Sequence, residues 1–252
     1  MQQIKALVII ELKKLYRAPM NLAVLVLMPV GLALIFYFAL GNVYNDYYPV
    51  PGMNHFEYLL PGVMGYAVIY MGMMVALSLV EFRKDGLLKR IETTPVSTAA
   101  FLTSQIIANM IIAVIQALLV LLVAWLLGFE PQGGVVGLLL VVLFLALLAV
   151  SAVGLGLITA AVSKDSGVAG GLSMIFILPM MMFGALLAVF DEATLAIAKF
   201  TPNFYVSSSL MMVLHEGKIS DPLIWQNFLI LTAISLVIVV VGIQLFKRTK
   251  IQ

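Results

Sequence analysis

Six long stretches of this sequence carry no charged residue. Each holds the roughly 20 apolar residues that an α-helix needs to cross the hydrocarbon of a bilayer. A backbone in lipid must satisfy its own hydrogen bonds, and the stretches lack the strict alternation of a membrane β-strand, so we predict helices. The charge-free stretches run from Arg17 to Asp46, Glu57 to Glu81, Glu92 to Glu130, Glu130 to Lys164, Asp165 to Asp191 and Asp221 to Lys247. The predicted spans are 21–41, 59–80, 101–128, 135–162, 168–190 and 226–246.

Composition excludes the other large classes of protein. Of the 252 residues, 63% are hydrophobic and 10% are charged, whereas a soluble domain has about 45–50% and about 25%. The net charge of +2 is too small to attract nucleic acid, and the absence of cysteine excludes disulfides and thiolate chemistry. The sequence therefore predicts an all-α integral membrane protein, with residues 1–252 forming a single transmembrane domain.

The lysines and arginines are distributed unequally between the two ends of the predicted spans. Twelve of the 14 lie before the first span, in the second and fourth connections or in the tail. Only Lys199 and Lys218 lie on the other side. Because basic loops stay in the cytoplasm, we expect a multi-pass cell-membrane protein with both termini cytoplasmic. The first span is too long for a signal peptide and no cleavage site follows it, so we expect it to be retained.

Two shorter segments complete the predicted architecture. Residues 4–17 have an apolar helical stripe and are followed by Pro19, which predicts an amphipathic helix in the cytoplasmic interface, or alternatively a solvated basic leader. The loop after the fifth span contains an apolar run too short to cross, after Thr201–Asn203. That run is typical of re-entrant outer helices. The apolar stripe consists of Ile4, Leu7, Val8, Leu12 and Leu15.

No pattern for catalysis, metal binding or nucleotide binding is found. Gly217-Lys218 lacks the spacing of a phosphate-binding loop, and His55 and His215 are isolated from other ligands. An enzyme acting on lipids would need a cluster of His, Asp or Glu at the membrane edge, which the sequence does not supply. The span interiors hold no ionisable residue, so we expect an energy source outside the membrane portion, or a purely structural subunit.

Polar and methionine residues inside the spans are candidates for a substrate path. Gln105, Asn109 and Gln116 share one helical face, which favours either hydrogen bonds between helices or a polar surface facing the path. Methionines cluster in the second and fifth spans, and flexible methionine is common on adaptable binding surfaces. Small-residue pairs at Gly133/Gly137 and Gly167/Gly171 indicate close helix packing. The candidate path residues are Met71, Met74, Asn109, Gln116, Met181 and Phe183.

The connection between the second and third spans is more elaborate than a basic loop needs to be. It combines acidic, basic and glycine residues with a short helix predicted around Leu87–Ile91, which presents apolar side chains. Thr94-Pro95 ends that helix, and Ser97 or Thr98 can cap the next one. This arrangement favours a docking segment for a partner protein.

Three stretches of the chain carry a resemblance to a known family. They are YLLPGVMGY at 58–66, E-x-R-x-x-G-x-L-x-R-x-x-x-T-P-V-S at 81–97, and FTPNFYV at 200–206. With the leader and six spans, the similarity extends over essentially the whole chain. The sequence resembles the permease subunits of type-2 ABC exporters, which export drugs, polysaccharides or lipids from bacteria and archaea.

The resemblance implies partners and roles. The second connection would be a coupling helix that fits a groove on a separate P-loop ATPase, which itself binds ATP and Mg, so the permease needs no cofactor of its own. Two permeases would form a homodimer through their first and fifth spans, and the second and fifth spans would line the path. Where relatives commonly have Gly-Thr-Leu-Glu, this chain has Gly86-Leu87-Leu88-Lys89. The implied coupling residues are Glu81, Arg83, Lys84, Asp85, Gly86, Leu87, Leu88, Lys89, Arg90, Ile91, Thr94 and Pro95.

The leading hypothesis is the membrane permease subunit of an ATP-driven exporter of hydrophobic or amphipathic small molecules, as in multidrug efflux. It would have no enzymatic activity of its own and would contact membrane lipid but no nucleic acid. A cluster of outer aromatic residues keeps a polysaccharide or lipid-linked glycan exporter open as an alternative, since aromatic rings stack on sugars. A scaffold or channel without an ATPase is the third hypothesis. The aromatic cluster consists of Tyr44, Tyr47, Tyr48, Phe56 and Tyr58.

Overall fold

The computed structural model describes residues 2–44, 50–87, 93, 96–183 and 192–249. Within these ranges the chain forms helices joined by short connections, together with one isolated β-bridge between Tyr44 and Asn54. The helices are α1 Gln2–Arg17, α2 Pro19–Leu40, α3 His55–Lys84, α4 Thr98–Leu126, α5 Gly134–Val162, α6 Ser166–Met181, α7 Glu192–Ala198, α8 Pro202–Leu214 and α9 Pro222–Thr249. The all-helical fold class is confirmed for the described residues.

In the described part of the chain, five helices are long and apolar enough to cross a bilayer, namely α2, α3, α4, α5 and α9. The predicted fifth span, 168–190, corresponds to α6, which has 16 residues and a length of about 24 Å, short of the roughly 30 Å hydrocarbon core. The rest of that span, 184–190, lies outside the described residues. The count of six spans and the re-entrant course of α7 and α8 therefore stay predictions.

The helix ends follow from local chemistry. Asn54 begins α3 with a capping box, in which its side chain accepts from the Glu57 backbone N–H at 2.9 Å and its own N–H donates to the Glu57 carboxylate at 3.3 Å. Ser97 caps α4 by accepting from the Ala100 N–H at 3.1 Å, as predicted. Pro19 starts α2 directly after Ala18, so α1 and α2 are separate helices.

The core is built around α3 and α5, which pack along each other, with α9, α8 and α4 against α5, and α6, α4 and α2 against α3. Backbone contact is close where these two helices meet, because a Cβ on Gly72 would lie 2.5 Å from the Ala152 carbonyl oxygen. By contrast α2 and α9 bury little of their surface within the chain. Such apolar exposure suits a helix that faces lipid or a second copy of the chain.

Candidate functional site

A cavity of about 400 Å³ lies between α1, α2, α3 and α4. It is found at the end of the bundle where α1 meets the last turns of α3. Its walls are Glu11, Lys14, Leu15, Ala18, Val24, Leu25, Met71, Met74, Leu77, Ser78, Glu81, Phe82, Asn109 and Ile112. One stretch of α3, residues 71–82, and the amphipathic α1 thus supply most of the lining residues.

The cavity is apolar at one end and charged at the other. Met71 is only 2% exposed and precedes Glu81 by ten residues of α3, or about 15 Å along the helix. Glu81 and Lys14 are both exposed at the mouth. Since methionine is flexible and polarizable, the inner wall can adapt to ligands of different shape. The arrangement suits a molecule with an apolar body and a polar head.

Gln105 and Asn109, the first two residues of the polar face of α4, form hydrogen bonds within the helix bundle. Gln105 is buried and donates from Nε2 to Glu11 Oε1 at 2.8 Å, which ties α4 to α1. Asn109 Nδ2 donates to the Gln105 carbonyl oxygen at 2.8 Å and itself lines the cavity. A buried glutamine amide gives the Glu11 carboxylate a partner away from water.

Gln116 ties α4 to α2 in the same way. Its Nε2 donates to the Leu25 backbone carbonyl, and the side chain is 2% exposed. The two interpretations of the polar face are therefore divided among its residues. Gln105 and Gln116 hold neighbouring helices together, while Asn109 faces the cavity.

Three of the six candidate path residues meet in this cavity, namely Met71, Met74 and Asn109. Gln116 lies outside the lining but bonds to Leu25, which belongs to it. The other two are partly buried: Met181 is the last residue of α6, and Phe183 follows it by two residues. The structure does not bring those two to the cavity.

Sequence reasoning missed the contribution of α1. Ile4, Leu7, Val8, Leu12 and Leu15 are each partly buried, as their periodicity predicts, and the acidic Glu11 lies among them on the inward part of the helix. An acid beside an apolar stripe is the signal that could have indicated a polar contact, because an acid turned toward the interior needs a polar partner. Lys14 extends over the Phe82 ring, 4.2 Å from its centroid, and so links α1 to α3.

The predicted coupling segment begins inside α3. Glu81, Arg83 and Lys84 lie in the last turn of that helix, Asp85 is its C-cap residue, and Gly86 follows with a φ of +70°. This left-handed conformation, which glycine adopts without strain, ends the helix and redirects the chain. Leu87 then emerges 38% exposed.

The remaining predicted coupling residues lie outside the described residues. They are Leu88, Lys89, Arg90, Ile91, Thr94 and Pro95.

Arg83 has a structural partner that the sequence did not suggest. Its guanidinium donates to the carbonyl oxygens of Ala160 and of Ser163, the latter at 3.2 Å. These are orphan carbonyls at the carboxyl end of α5, where a cation is favoured by the helix dipole. The end of α3 is thereby fastened to the end of α5.

The family model described as ABC-2 type transporter matches residues 2–215 of the chain. The match spans most of the sequence, from α1 through α8, and so includes the cavity and the start of the coupling segment. None of the curated proteins compared with the chain matches it.

The chain belongs to the ABC-2 type transporter family. It is a multi-pass membrane permease, a transport subunit of a family in which a partner ATPase hydrolyses ATP.

Proposed function

We propose that this chain is the membrane subunit of an ATP-driven exporter that moves hydrophobic or amphipathic small molecules out across the cell membrane. The observation that carries the proposal is the cavity between α1, α2, α3 and α4, with its methionine-lined interior and charged mouth. Its volume of about 400 Å³ falls within the range of about 300–1,000 Å³ typical of small-molecule sites.

Charges of both signs at the mouth favour amphipathic substrates over purely apolar ones. Glu81 and Lys14 are exposed there and can accommodate a polar head of either charge, while Met71 and Met74 contact the apolar body. The positive-inside distribution supports a cytoplasmic location for this end of the bundle, with both termini on that side. A substrate would thus enter from the inner leaflet or the cytoplasm.

A glycan exporter has less support from the same contacts. Phe56 of the outer aromatic cluster is 1% exposed and packs edge-on against Tyr37, with 5.4 Å between ring centroids. It is a core residue and cannot stack on a sugar. Tyr47 and Tyr48 lie outside the described residues. At the cavity, the ring of Phe82 is already covered by Lys14.

Coupling to ATP hydrolysis would proceed through the end of α3. An ATPase groove that receives Leu87 and the residues after it would press on the last turn of α3 when the ATPase pair closes. Because Arg83 bonds to the carboxyl end of α5, the displacement would reach α5 as well as the cavity wall on α3. Two copies of the chain, paired through the exposed apolar surface of α2 and through the fifth span, would give two such cavities.

Co-purification tests the ATPase partnership. Extraction in mild detergent from the native host should yield a soluble P-loop ATPase at about one copy per permease. Leu87→Asp should abolish the association, since a charge would enter an apolar contact, whereas Gln3→Asp adds the same charge at an exposed position of α1 and should not. If no ATPase appears, or if both variants keep it equally, the exporter proposal fails and a scaffold or channel is favoured.

Filling the cavity tests the substrate path. Met74→Trp should lower the efflux of an amphipathic dye from energised vesicles by about tenfold, because the indole occupies the space between α3 and α4. Leu229→Trp is the control, since Leu229 is 68% exposed on α9, away from the cavity lining and from the proposed contact through α2. Equal efflux by the two variants would show that the substrate takes another route.

A further inference from the structure

A second, smaller pocket lies at the opposite end of the bundle. Its volume is about 240 Å³, and it is enclosed by residues 50–53, the first turn of α3, the α4–α5 connection and the end of α8. The connection is held to α8 by a hydrogen bond from the Gln132 N–H to the Leu214 carbonyl at 2.8 Å. From Glu57 in this pocket to Glu81 at the large cavity is 24 residues of α3, or about 36 Å. The two spaces are therefore separate.

The pocket contains a histidine with unmet hydrogen-bonding capacity. His215 is 7% exposed and lines the pocket, and among the described residues neither Nδ1 nor Nε2 has a hydrogen-bond partner of ordinary geometry. The Phe129 ring packs beside it, with 4.8 Å between ring centroids. Two buried unpaired ring nitrogens are costly. A ligand that bonds to them would remove that cost.

The imidazole is neutral at physiological pH. Burial lowers the pKa of His215 to about 4, an effect that the nearby backbone carbonyls of Glu57 and Met211 only partly oppose. A neutral imidazole has one nitrogen that accepts and one N–H that donates. The complementary ligand must therefore carry both a donor and an acceptor.

The charged side chains that line the pocket are both acidic. Glu57 and Glu130 belong to the lining, and no lysine or arginine does among the described residues. Glu57 already accepts from the Asn54 N–H through one carboxylate oxygen, so its other oxygen is available to a ligand. The electrostatic preference of the pocket is for a cation.

We propose that this pocket binds a primary ammonium group carried by a small amino alcohol or its phosphate ester. The ammonium would donate to the carboxylates of Glu57 and Glu130 and to the accepting nitrogen of His215. The N–H of His215 would donate to the oxygen two carbons away. Two sources share this chemistry: the head group of an aminophospholipid in the adjacent leaflet and a free amino alcohol in solution.

Size and donor count distinguish this ligand from the alternatives. About 240 Å³ is below the range of about 300–1,000 Å³ that drug-sized ligands occupy. Over the described residues, no group of three His, Cys, Asp or Glu side chains is placed to hold a metal ion. A quaternary ammonium has no N–H to donate, so it would leave the accepting nitrogen of His215 unpaired.

The test is a binding measurement that does not depend on transport. The 252-residue chain, in phosphatidylcholine nanodiscs, would be titrated with ethanolamine and with choline by saturation-transfer NMR. We expect ethanolamine to bind at least about tenfold more tightly than choline, because only ethanolamine satisfies His215. Repeating the titration in nanodiscs that contain phosphatidylethanolamine shows whether the pocket takes a lipid head group or a free amino alcohol. A large rise in the apparent Kd means that the lipid head group occupies the pocket, and an unchanged Kd means that the ligand is a free solute.

Matched variants locate the binding. Glu130→Gln keeps the size of an exposed side chain and removes its charge, and His215→Phe keeps the ring beside Phe129 and removes both nitrogens. Each should weaken ethanolamine binding by about tenfold. Glu216→Gln is the control, since Glu216 is adjacent in sequence but forms an ion pair with Lys218 outside the pocket lining. Equal binding of choline and ethanolamine, or unchanged binding in both pocket variants, would overturn the proposal.

Discussion

The two sides of α3 are built differently. Toward α5 the helix is packed almost backbone to backbone, with Gly72 against Ala152, and toward α8 Gly65 lies directly against the Asn203 side chain. Asn203 is fully buried and donates from Nδ2 to the Met180 carbonyl at 3.0 Å, which joins α8 to α6. Toward α1, α2 and α4 the same helix borders a cavity of about 400 Å³. One helix therefore serves both a rigid seam and an adaptable site.

The packed side of α3 is suited to transmit displacement, and the cavity side is suited to change shape around a ligand. Close packing leaves no room for independent displacement, so a force applied at the end of α3 moves α5 with it. The cavity side has flexible methionines and few constraints, and it can change shape at small cost. Changes on the packed side should therefore affect stability, while changes on the cavity side should affect transport.

The largest effect is expected where the packed side has no space at all. Gly72→Leu should lower the free energy of unfolding by about 3 kcal/mol or more, since even its Cβ would lie 2.5 Å from the Ala152 carbonyl oxygen. Thermal unfolding in detergent measures the loss. Gly170→Leu on α6 is the control, because the nearest side-chain atom to its Cβ is Leu77 Cδ2 at 4.0 Å. A similar loss in both variants would mean that the seam between α3 and α5 is not the tightest contact.

Acid should loosen the end of α8, which belongs to the packed side. His215 has a pKa of about 4 in the folded chain, against 6.5 as its ordinary value. The unfolded chain therefore binds more protons between these values, and stability rises with pH there. Lowering the pH from 6.5 to 4 should cost about 3 kcal/mol through this residue alone.

The pH effect is isolated by comparing variants. In His215→Phe the free energy of unfolding should depend less on pH between 6.5 and 4, because the contribution of the histidine is removed. The carboxylates that titrate in acid are unchanged, so the rest of the pH dependence should stay the same. His55→Phe is the matched control on the same end of the bundle, since the same substitution is made there at a histidine that is only partly buried. Identical slopes for the wild type and His215→Phe would show that His215 is not kept neutral by burial.

The helices were predictable because apolar length and charge position decide them directly. Predicted ends for α2, α4 and α5 agree with the structure within about three residues, and α3 and α9 extend about four residues beyond prediction at one or both ends. Their first and last turns carry polar residues, such as Glu57 and Arg83, that a hydropathy criterion excludes. Ends of helices are decided by caps and by tertiary contacts, which hydropathy does not report.

The tertiary contacts were less predictable. The glycine pair Gly167/Gly171 makes few contacts: a Cβ at Gly167 would touch only Asp165, and one at Gly171 would touch nothing. By contrast, Gly72 of α3 and Gly156 of α5 face each other, although they are not paired at a small-residue spacing in the sequence. A pattern within one helix identifies a small surface but not its partner. The same holds for Glu11, whose bond to Gln105 joins residues 94 positions apart. Met71, Met74 and Asn109 line one cavity, but methionine chemistry alone did not separate them from Met181, and their role in a substrate path stays a prediction.

An intermediate effect is expected at the link between the end of α3 and α5. Arg83→Met should cost about 2 kcal/mol, as two charge-assisted hydrogen bonds to the α5 carbonyls are lost. Under the proposed function it should also lower the transport per ATP hydrolysed while the ATPase remains bound. Lys13→Met removes an exposed charge on α1, outside the coupling segment and the cavity lining, and is the control for both measurements. Full coupling in Arg83→Met would show that the displacement does not pass through this link.

The smallest stability effect is expected on the cavity side of α3. It tests most directly whether the two sides of the helix are packed differently. Met74 is partly buried and already borders open space, so Met74→Ala should cost only about 1 kcal/mol, because few packing contacts are lost. Met180 is 3% exposed in the packed core, and Met180→Ala should cost about 3 kcal/mol through the cavity it creates. Dye efflux should change in the opposite order, with the larger effect in Met74→Ala. If both substitutions destabilise the chain equally, the two sides of α3 are packed alike and the cavity is too small to serve as a site.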